Sequence, residues 1–521
     1  MRKLWVLGEA VQDVTVEIDI ELLLRENASL RDSILLNEAL WIKTGLWLTT
    51  QAGLHSFAVQ MQVQNPKSSD GDLAGLLPGD KYNLVGGVLE PPPDLDGDSP
   101  EISVRCEDVS WGGGGLNVVR YIRALAPLQH LVPIVYSDIA MNSPLDEKVR
   151  DELESGDSTV AHVLANHSAD RYLEVYLDSM SVEPVLYRPT RPEFRRNLVI
   201  SRVRTSNRET DNKIVCRGSS SPDTSGAEQS VLSLLNGRAG EIGAILVDSI
   251  KSKELFNAAY GLCKANPSVL AIFALTESMQ AVATPLIEDL KKGESLPNCI
   301  LIFNETEAHR FANRFGPSLK PFMTKAEDIP NLKLFAETAT AILQECPFNR
   351  LPRIYVTLGP RGSIGVDHQA QVVFLSTFTK QKATIFDTNT CGDAFCGAIA
   401  LLEWAKLHSA GLQRLAPEGA ASWDEMRHFM AVATAAAYSR ATSRLGHVDG
   451  REVEDLLRHS YLASEVLGHV EELRGGKSRF CDKDGFLIQP LTASAVGIEP
   501  GLAQLMSTGR ARSRIAAVGS F

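Results

Sequence analysis

From Ser230 onward, short apolar runs alternate with helix-length segments, and few folds accommodate that rhythm. The runs are GAILVDS (243–249), VLAIFALT (269–276), CILIFN (299–304), RIYVTLG (353–359) and ATIF (383–386). Between them, residues 253–264, 278–291 and 332–344 have helical composition. Strands joined through helices of that length are βαβ units, because parallel neighbours need a long crossover. The expected fold class is therefore α/β, a doubly wound, mostly parallel sheet flanked by helices. A further helical region at 423–440 is rich in Ala and suits close packing.

The rest of the chain is less regular. Residues 3–8 (KLWVLG) read as a buried strand, and Asp13 follows in a second β-type run. Residues 21–40 have helical composition, 41–64 turn β-like, and 65–100 are loop-rich, with PPPDLDGDSP the most linker-like piece. At 111–126, four glycines open an amphipathic helix, and 131–137 read as a strand. Residues 142–226 are polar and irregular, with β-type pieces near 183–187 and 197–203. After about Gly468 the periodicity fades, so 468–521 reads as a C-terminal tail, partly disordered.

At 521 residues, length alone suggests two or three domains. Lys and Arg number 52 against 64 Asp and Glu, a net charge of −12, which argues against nucleic acid or an anionic membrane as main partner. The eight cysteines form no Cys-x-x-Cys pair and no zinc-spaced cluster, so reduced thiols and a cytoplasmic location are the simplest reading. The opening MRKLWVLGEAVQD has too short an apolar run for a signal peptide, and no apolar stretch has the length of a membrane span.

Chemistry concentrates in ATIFDTNTCGDAFCGAIALLEW (383–404), a strand, a tight loop and an apolar helix. The first turn of a helix presents backbone N–H groups without intrahelical partners, a ready anion site. Asp393 stands at that mouth, poorly placed to bind an anion but well placed to take a proton from a nucleophile attacking one. Alternatively, Asp393 simply caps the helix. Two nucleotide motifs fail: Gly112 to Gly115 do not complete G-x-G-x-x-G, and Gly476-Lys477-Ser478 lacks the earlier glycine of a P-loop, since position 471 is Glu471.

Five pieces in order, GEAVQD, GGGGLN, NETE, VTLGPRGS and DTNTCGD, resemble the ribokinase-like (PfkB) carbohydrate kinase family. The resemblance covers roughly 3–13, 112–137 and 243–446. It implies a kinase domain over 1–467, with lid or insertion segments within about 14–110 and 142–226. It also implies ATP and Mg²⁺ as cofactors, and a small sugar or nucleoside as substrate. A homodimer and a monovalent cation are compatible with it. By position, Asp13, Gly112, Gly113 and Asn117 would hold substrate hydroxyls. Thr357, Gly359 and Gly362 would face the nucleotide, while Asn304 and Glu307 would organise Mg²⁺, Glu307 through water. Thr390, Cys391 and Gly392 would form the anion hole and Asp393 would be the base.

Each piece also has a plainer account. Asp13 could be a strand-end carboxylate, GGGGLN a flexible loop before a helix, NETE an Asn-capped helix start, and VTLGPRGS a hairpin turn. The loop departs from the family at Thr390 and Cys391, where Gly and Ala are usual. A β-branched residue resists φ > 0, so the loop is expected to sit differently unless Thr390 takes a negative φ. ALTES (274–278) also departs, where relatives carry Asp-Pro. The reading is an ATP-dependent sugar kinase, with two rivals: a nucleoside kinase, for which Trp41, Trp47, Phe57 and Tyr82 offer stacking surfaces, and a non-catalytic binding protein, which Thr390 favours.

Overall fold

The computed structural model describes residues 2–18, 58–61, 84–88, 106–125, 131–137, 196–202, 213–217, 225–343 apart from a few loop positions, 353–377, 390–408, 422–443, 447–458 and 462–488. In chain order the elements begin with β1 (Lys3–Ile18), β2 (Ala58–Met61), β3 (Leu84–Val88), β4 (Cys106–Gly112), α1 (Gly114–Leu125) and β5 (Leu131–Ser137). Then come β6 (Arg196–Arg202), β7 (Lys213–Arg217), α2 (Ser225–Gly237), β8 (Ile242–Asp248), α3 (Lys253–Ala265) and β9 (Leu270–Ala274). Next are α4 (Glu277–Val282), α5 (Thr284–Lys292), β10 (Cys299–Asn304), α6 (Glu305–Ala312), α7 (Leu332–Leu343) and β11 (Arg353–Thr357). The last are β12 (Gly362–Asp367), β13 (Gln371–Thr377), α8 (Cys391–His408), α9 (Ser422–Thr442), α10 (Gly450–Arg458), β14 (Leu462–His469) and α11 (Val470–Arg474).

Parallel pairing links β5, β1, β8, β9, β10 and β11 in that spatial order, and β12, β13 and β14 extend the sheet antiparallel at its edge. Side chains alternate across the pleat. Leu4, Val6, Ala244, Leu246, Ile300 and Ile302 bury against one core, shared with α1, α8, α9 and α10. Trp5, Leu7, Ile245, Val247, Leu301 and Phe303 bury against the other, shared with α2 to α7 and α11. Both faces are covered, so the strands read as continuous apolar runs rather than alternating ones. This is the doubly wound, mostly parallel class expected from the sequence.

Several details differ from expectation. The run at 3–8 and the one holding Asp13 form one continuous strand, because beyond Ala10 the chain finds new partners: β4 antiparallel and β6 parallel, with β7 added outside β6. The expected helix at 278–291 is two, broken at Ala283, with a proline at the start of α5. The tail expected from 468 begins inside β14, and Val470, Leu473 and Leu487 are buried in the core. The segments read from sequence at 21–40, 183–187 and 383–386, and the tail beyond 488, lie outside the described residues.

Helix α1 rests on β1 at unusually short range. A Cβ on Gly8 would lie 2.5 Å from the Gly115 Cα, and one on Gly115 would lie 2.5 Å from the Gly8 carbonyl carbon. Neither backbone has room to yield, so Gly8→Ala or Gly115→Ala should destabilise the protein by about 1–3 kcal/mol. Denaturant unfolding checks this, and an unchanged midpoint for both would show that α1 does not depend on the close approach.

Candidate active site

In an open α/β sheet, the crevice for ligands lies beyond the carboxyl ends of the parallel strands. Asp248 closes β8, Asn304 closes β10 and Thr357 closes β11, all along that edge. The glycine loop before α1 joins them there. Gly113 takes φ +97° and approaches so closely that a Cβ on it would sit 2.5 Å from the Glu9 carbonyl oxygen. Only glycine meets both demands. Gly112 pairs with Val11 on the β1–β4 ladder, and Asp13 pairs with Ser110 on the same ladder. The backbone thus brings Asp13 beside the glycine loop; its side chain lies outside the described residues.

The glycine loop aims α1 at α8. The Gly113 carbonyl accepts from the Asn117 N–H at 3.0 Å, opening the helix. On α8, Gly397 lets the two helices approach, since a Cβ there would lie 3.2 Å from the Val118 carbonyl oxygen. At the mouth of α8, buried Asn117 donates from its side-chain amide to the Asp393 carboxylate at 3.0 Å. Two residues 276 positions apart, singled out separately in the sequence, therefore meet in one place.

Thr390 precedes α8, and its carbonyl accepts the helix-opening bond from Ala394 N–H at 3.0 Å. Its φ is +63°, a left-handed value that β-branched residues rarely adopt. The expectation that Thr390 displaces the loop, or avoids positive φ, is thus corrected: it keeps a glycine-like backbone. Its hydroxyl is held from two sides. Thr390 Oγ1 accepts from Arg440 Nε at 2.8 Å and shares a hydrogen bond with the Tyr121 hydroxyl, which also accepts from Arg440 Nε at 2.9 Å. Burial raises the Tyr121 pKa above its ordinary 10.0, with Arg440 partly opposing, so the phenol stays protonated. Cys391 and Asp393 are half-buried and Gly392 is exposed; a Cβ on Gly392 would meet nothing within 4 Å.

Asp248, which sequence reasoning missed, lies beside the glycine loop that opens α1. Only 2% exposed, it accepts from Ser249 Oγ at 3.2 Å, and a Cβ on Gly114 would collide with its carboxylate. A legible signal was available: the strand GAILVDS is apolar until it ends on a carboxylate at the ligand-binding edge.

At the neighbouring strand ends, Asn304 and Thr357 are register partners across β10 and β11. Asn304 Oδ1 accepts from Glu307 N–H at 2.8 Å, and Glu307 Oε2 accepts from Asn304 N–H at 2.9 Å, a reciprocal capping box. This accounts for both residues as helix-starting groups. Glu305, beside them, is pushed up by burial and pulled back by Arg361. Gly359 and Gly362 take φ +59° and +110° around a 3-10 turn closed by Leu358 N–H to the Gly362 carbonyl at 2.9 Å. The turn joins antiparallel β11 and β12, and a Cβ on Gly359 would meet nothing within 4 Å. Among the described residues, no three His, Cys, Asp or Glu side chains cluster to hold a metal. Glu307, whose Oε2 already accepts from Asn304 N–H, is the one carboxylate of the motif that would reach a hydrated Mg²⁺, through water.

No family model matches the sequence, and neither does any curated protein. Among solved structures, the chain is similar in shape to a ribokinase from Giardia lamblia: 13% identity, 88% of this chain and 98% of that one covered, TM-score 0.48. It is also similar to phosphofructokinase-2 from Escherichia coli in complex with fructose-6-phosphate, at 13% identity, 87% and 98% coverage and TM-score 0.44. A ribokinase from Arabidopsis thaliana complexed with ribose and ATP matches at 16% identity, 87% and 98% coverage and TM-score 0.41. The likeness is one of shape, and it leaves activity to the site's own residues. No helix among the described residues is long and apolar enough to cross a membrane.

Proposed function

We propose that this chain is an ATP-dependent carbohydrate kinase. The observation that carries the reading is the Asn117–Asp393 bond at the mouth of α8: a carboxylate and an amide converge where a helix N-terminus offers an anion site. A substrate hydroxyl entering between them meets an acceptor for its proton at Asp393 and a donor and acceptor at Asn117. As its oxygen attacks the γ-phosphorus of ATP, Asp393 takes the proton, the bond to the β-phosphate oxygen breaks, and ADP leaves. The amides of Cys391, Gly392 and Asp393 face the transferring phosphoryl group. Asp13, Gly112, Gly113 and Asp248 line the acceptor side; Asn304, Thr357, Gly359 and Gly362 line the nucleotide side. Bound Mg²⁺, held through water by Glu307, supplies charge neutralisation at the phosphates.

The half of β1 beyond Ala10, with β4, β6 and β7, forms a small sheet rooted at the glycine loop. We assign it the role of cover over the acceptor, excluding the water that competes as nucleophile. The left-handed φ of Thr390 supports the catalytic reading over a non-catalytic protein, since this residue keeps a backbone value that a glycine there would allow. Trp41, Trp47, Phe57 and Tyr82, on which a nucleoside reading would rest, lie outside the described residues.

A coupled ADP-release screen over sugars and nucleosides tests the proposal. With the accepted substrate, Asp13→Ala and Asn117→Ala should each weaken acceptor binding by roughly 1–3 kcal/mol, as hydroxyls lose buried partners. Acceptor affinity unchanged in both variants would remove the assignment of this side, and turnover of nucleosides alone would name the rival.

A further inference from the structure

Three side chains from three elements meet behind the mouth of α8, and none contributes to the chemistry just described. Thr390 has a backbone value suited to glycine, yet it is β-branched. Tyr121 on α1 is 1% exposed and Arg440 on α9 is 5% exposed, and both hold the Thr390 hydroxyl. Burying a guanidinium is costly unless it is well satisfied, and here a single Nε–H serves two oxygens, Tyr121 Oη at 2.9 Å and Thr390 Oγ1 at 2.8 Å. The cluster sits one residue before the helix whose first-turn amides the anion must meet, and one turn along α1 from Asn117.

Resting on the phosphoryl-transfer reading, we propose that Tyr121 and Arg440 are positioning residues: they clamp the Thr390 hydroxyl, fix this residue in the left-handed region, and so aim the amides of Cys391, Gly392 and Asp393 at the transferred group. A glycine reaches that backbone without help. A threonine does so only when its surroundings over-determine it. The clamp is the side-chain substitute for a glycine. It also ties α1 to the residue that opens α8.

The decisive comparison is kinetic. Tyr121→Phe removes one oxygen and keeps the buried ring. It should lower kcat about tenfold or more while the KM values for ATP and acceptor stay within about threefold, because the amides act on the transition state. Adding Thr390→Gly to Tyr121→Phe should bring kcat back to within about threefold of wild type, since glycine needs no clamp. Arg440→Lys, which keeps charge but loses the Nε–H shared by both oxygens, should behave like Tyr121→Phe and be rescued by the same glycine. A kcat unchanged in Tyr121→Phe, or a double variant no faster than the single one, overturns the clamp. Calorimetry of MgADP with and without aluminium fluoride separates the two ways of failing. Wild-type protein that neither turns over an acceptor nor binds MgADP more tightly with fluoride removes the kinase reading, and the clamp with it. Fluoride-dependent tightening that is equal in wild type and Tyr121→Phe removes the clamp alone.

Discussion

Asp393→Asn should lower kcat by about 10²-fold or more while leaving ATP affinity nearly unchanged. The substitution keeps the side chain's size and leaves an amide beside Asn117, whose own amide now donates to the carboxylate at 3.0 Å. What it removes is the proton acceptor assigned to the mouth of α8, the carboxylate that Asn117 holds. Nucleotide affinity should hold because the nucleotide is assigned to the ends of β10 and β11, on other elements. Steady-state ADP release with saturating MgATP measures the effect. Turnover within a fewfold of wild type would reduce Asp393 to a helix cap, the bland role its position in the first turn also allows.

The second large effect is structural. Arg353, at the start of β11 and 4% exposed, donates from Nη1 to Glu403 Oε1 on α8 at 2.6 Å, and bonds Glu425 on α9 through Nη2. Tyr355 Oη donates to the same Glu403 oxygen at 2.6 Å, and Lys406 also pairs with Glu425. The guanidinium lies 5.4 Å from the Phe429 ring centre. This network fastens α8 to the sheet ten residues, about 15 Å, beyond Asp393. Arg353→Met would leave two buried carboxylates facing no guanidinium, which should cost about 3–5 kcal/mol. Adding Glu403→Gln and Glu425→Gln should recover part of the loss. A midpoint for denaturant unfolding within about 0.5 kcal/mol of wild type would show that the carboxylates do not need the arginine.

The same network has a pH signature. Burial pushes the Glu425 carboxyl up, but Arg353 and Lys406 outweigh it and hold the group below its ordinary 4.5. A depressed carboxylate pKa adds stability that is fully present above the unfolded value and is lost as pH falls through the folded one. Stability should therefore decline on acidification below about pH 4.5, and decline less in a Glu425→Gln background. An equal acid slope in both proteins would place the linkage elsewhere.

How far the sequence alone carries the account depends on how local each feature is. Strand and helix alternation from β8 to β11 was legible because each run is buried on both faces and signals itself by continuous apolarity. Asn117 and Asp393 were legible as motif members, but only folding shows that they touch. The Arg353 network was invisible: Arg353 looks like a polar strand flank, and its partners lie 50 and 72 positions away. Thr390 misled for a related reason. Its own branching argues against positive φ, and the two groups that override that preference, Tyr121 and Arg440, stand 269 and 50 residues away. The boundary of the tail failed because β14, α11 and the turn at Gly485 are held by distant partners, such as Leu332 N–H on the Gly485 carbonyl at 2.8 Å. Tertiary context supplied what periodicity lacked.

The central claim is that phosphoryl transfer to a carbohydrate hydroxyl takes place at the mouth of α8. Phosphorus NMR of a reaction containing the protein, MgATP and a panel of small sugars tests it most directly, because it reads the bond that is made. The account predicts a new phosphomonoester resonance that grows in step with ADP, appears for at least one sugar, and is absent with Asp393→Asn. Formation of ADP with inorganic phosphate only, or no reaction with any sugar in the panel, would contradict it.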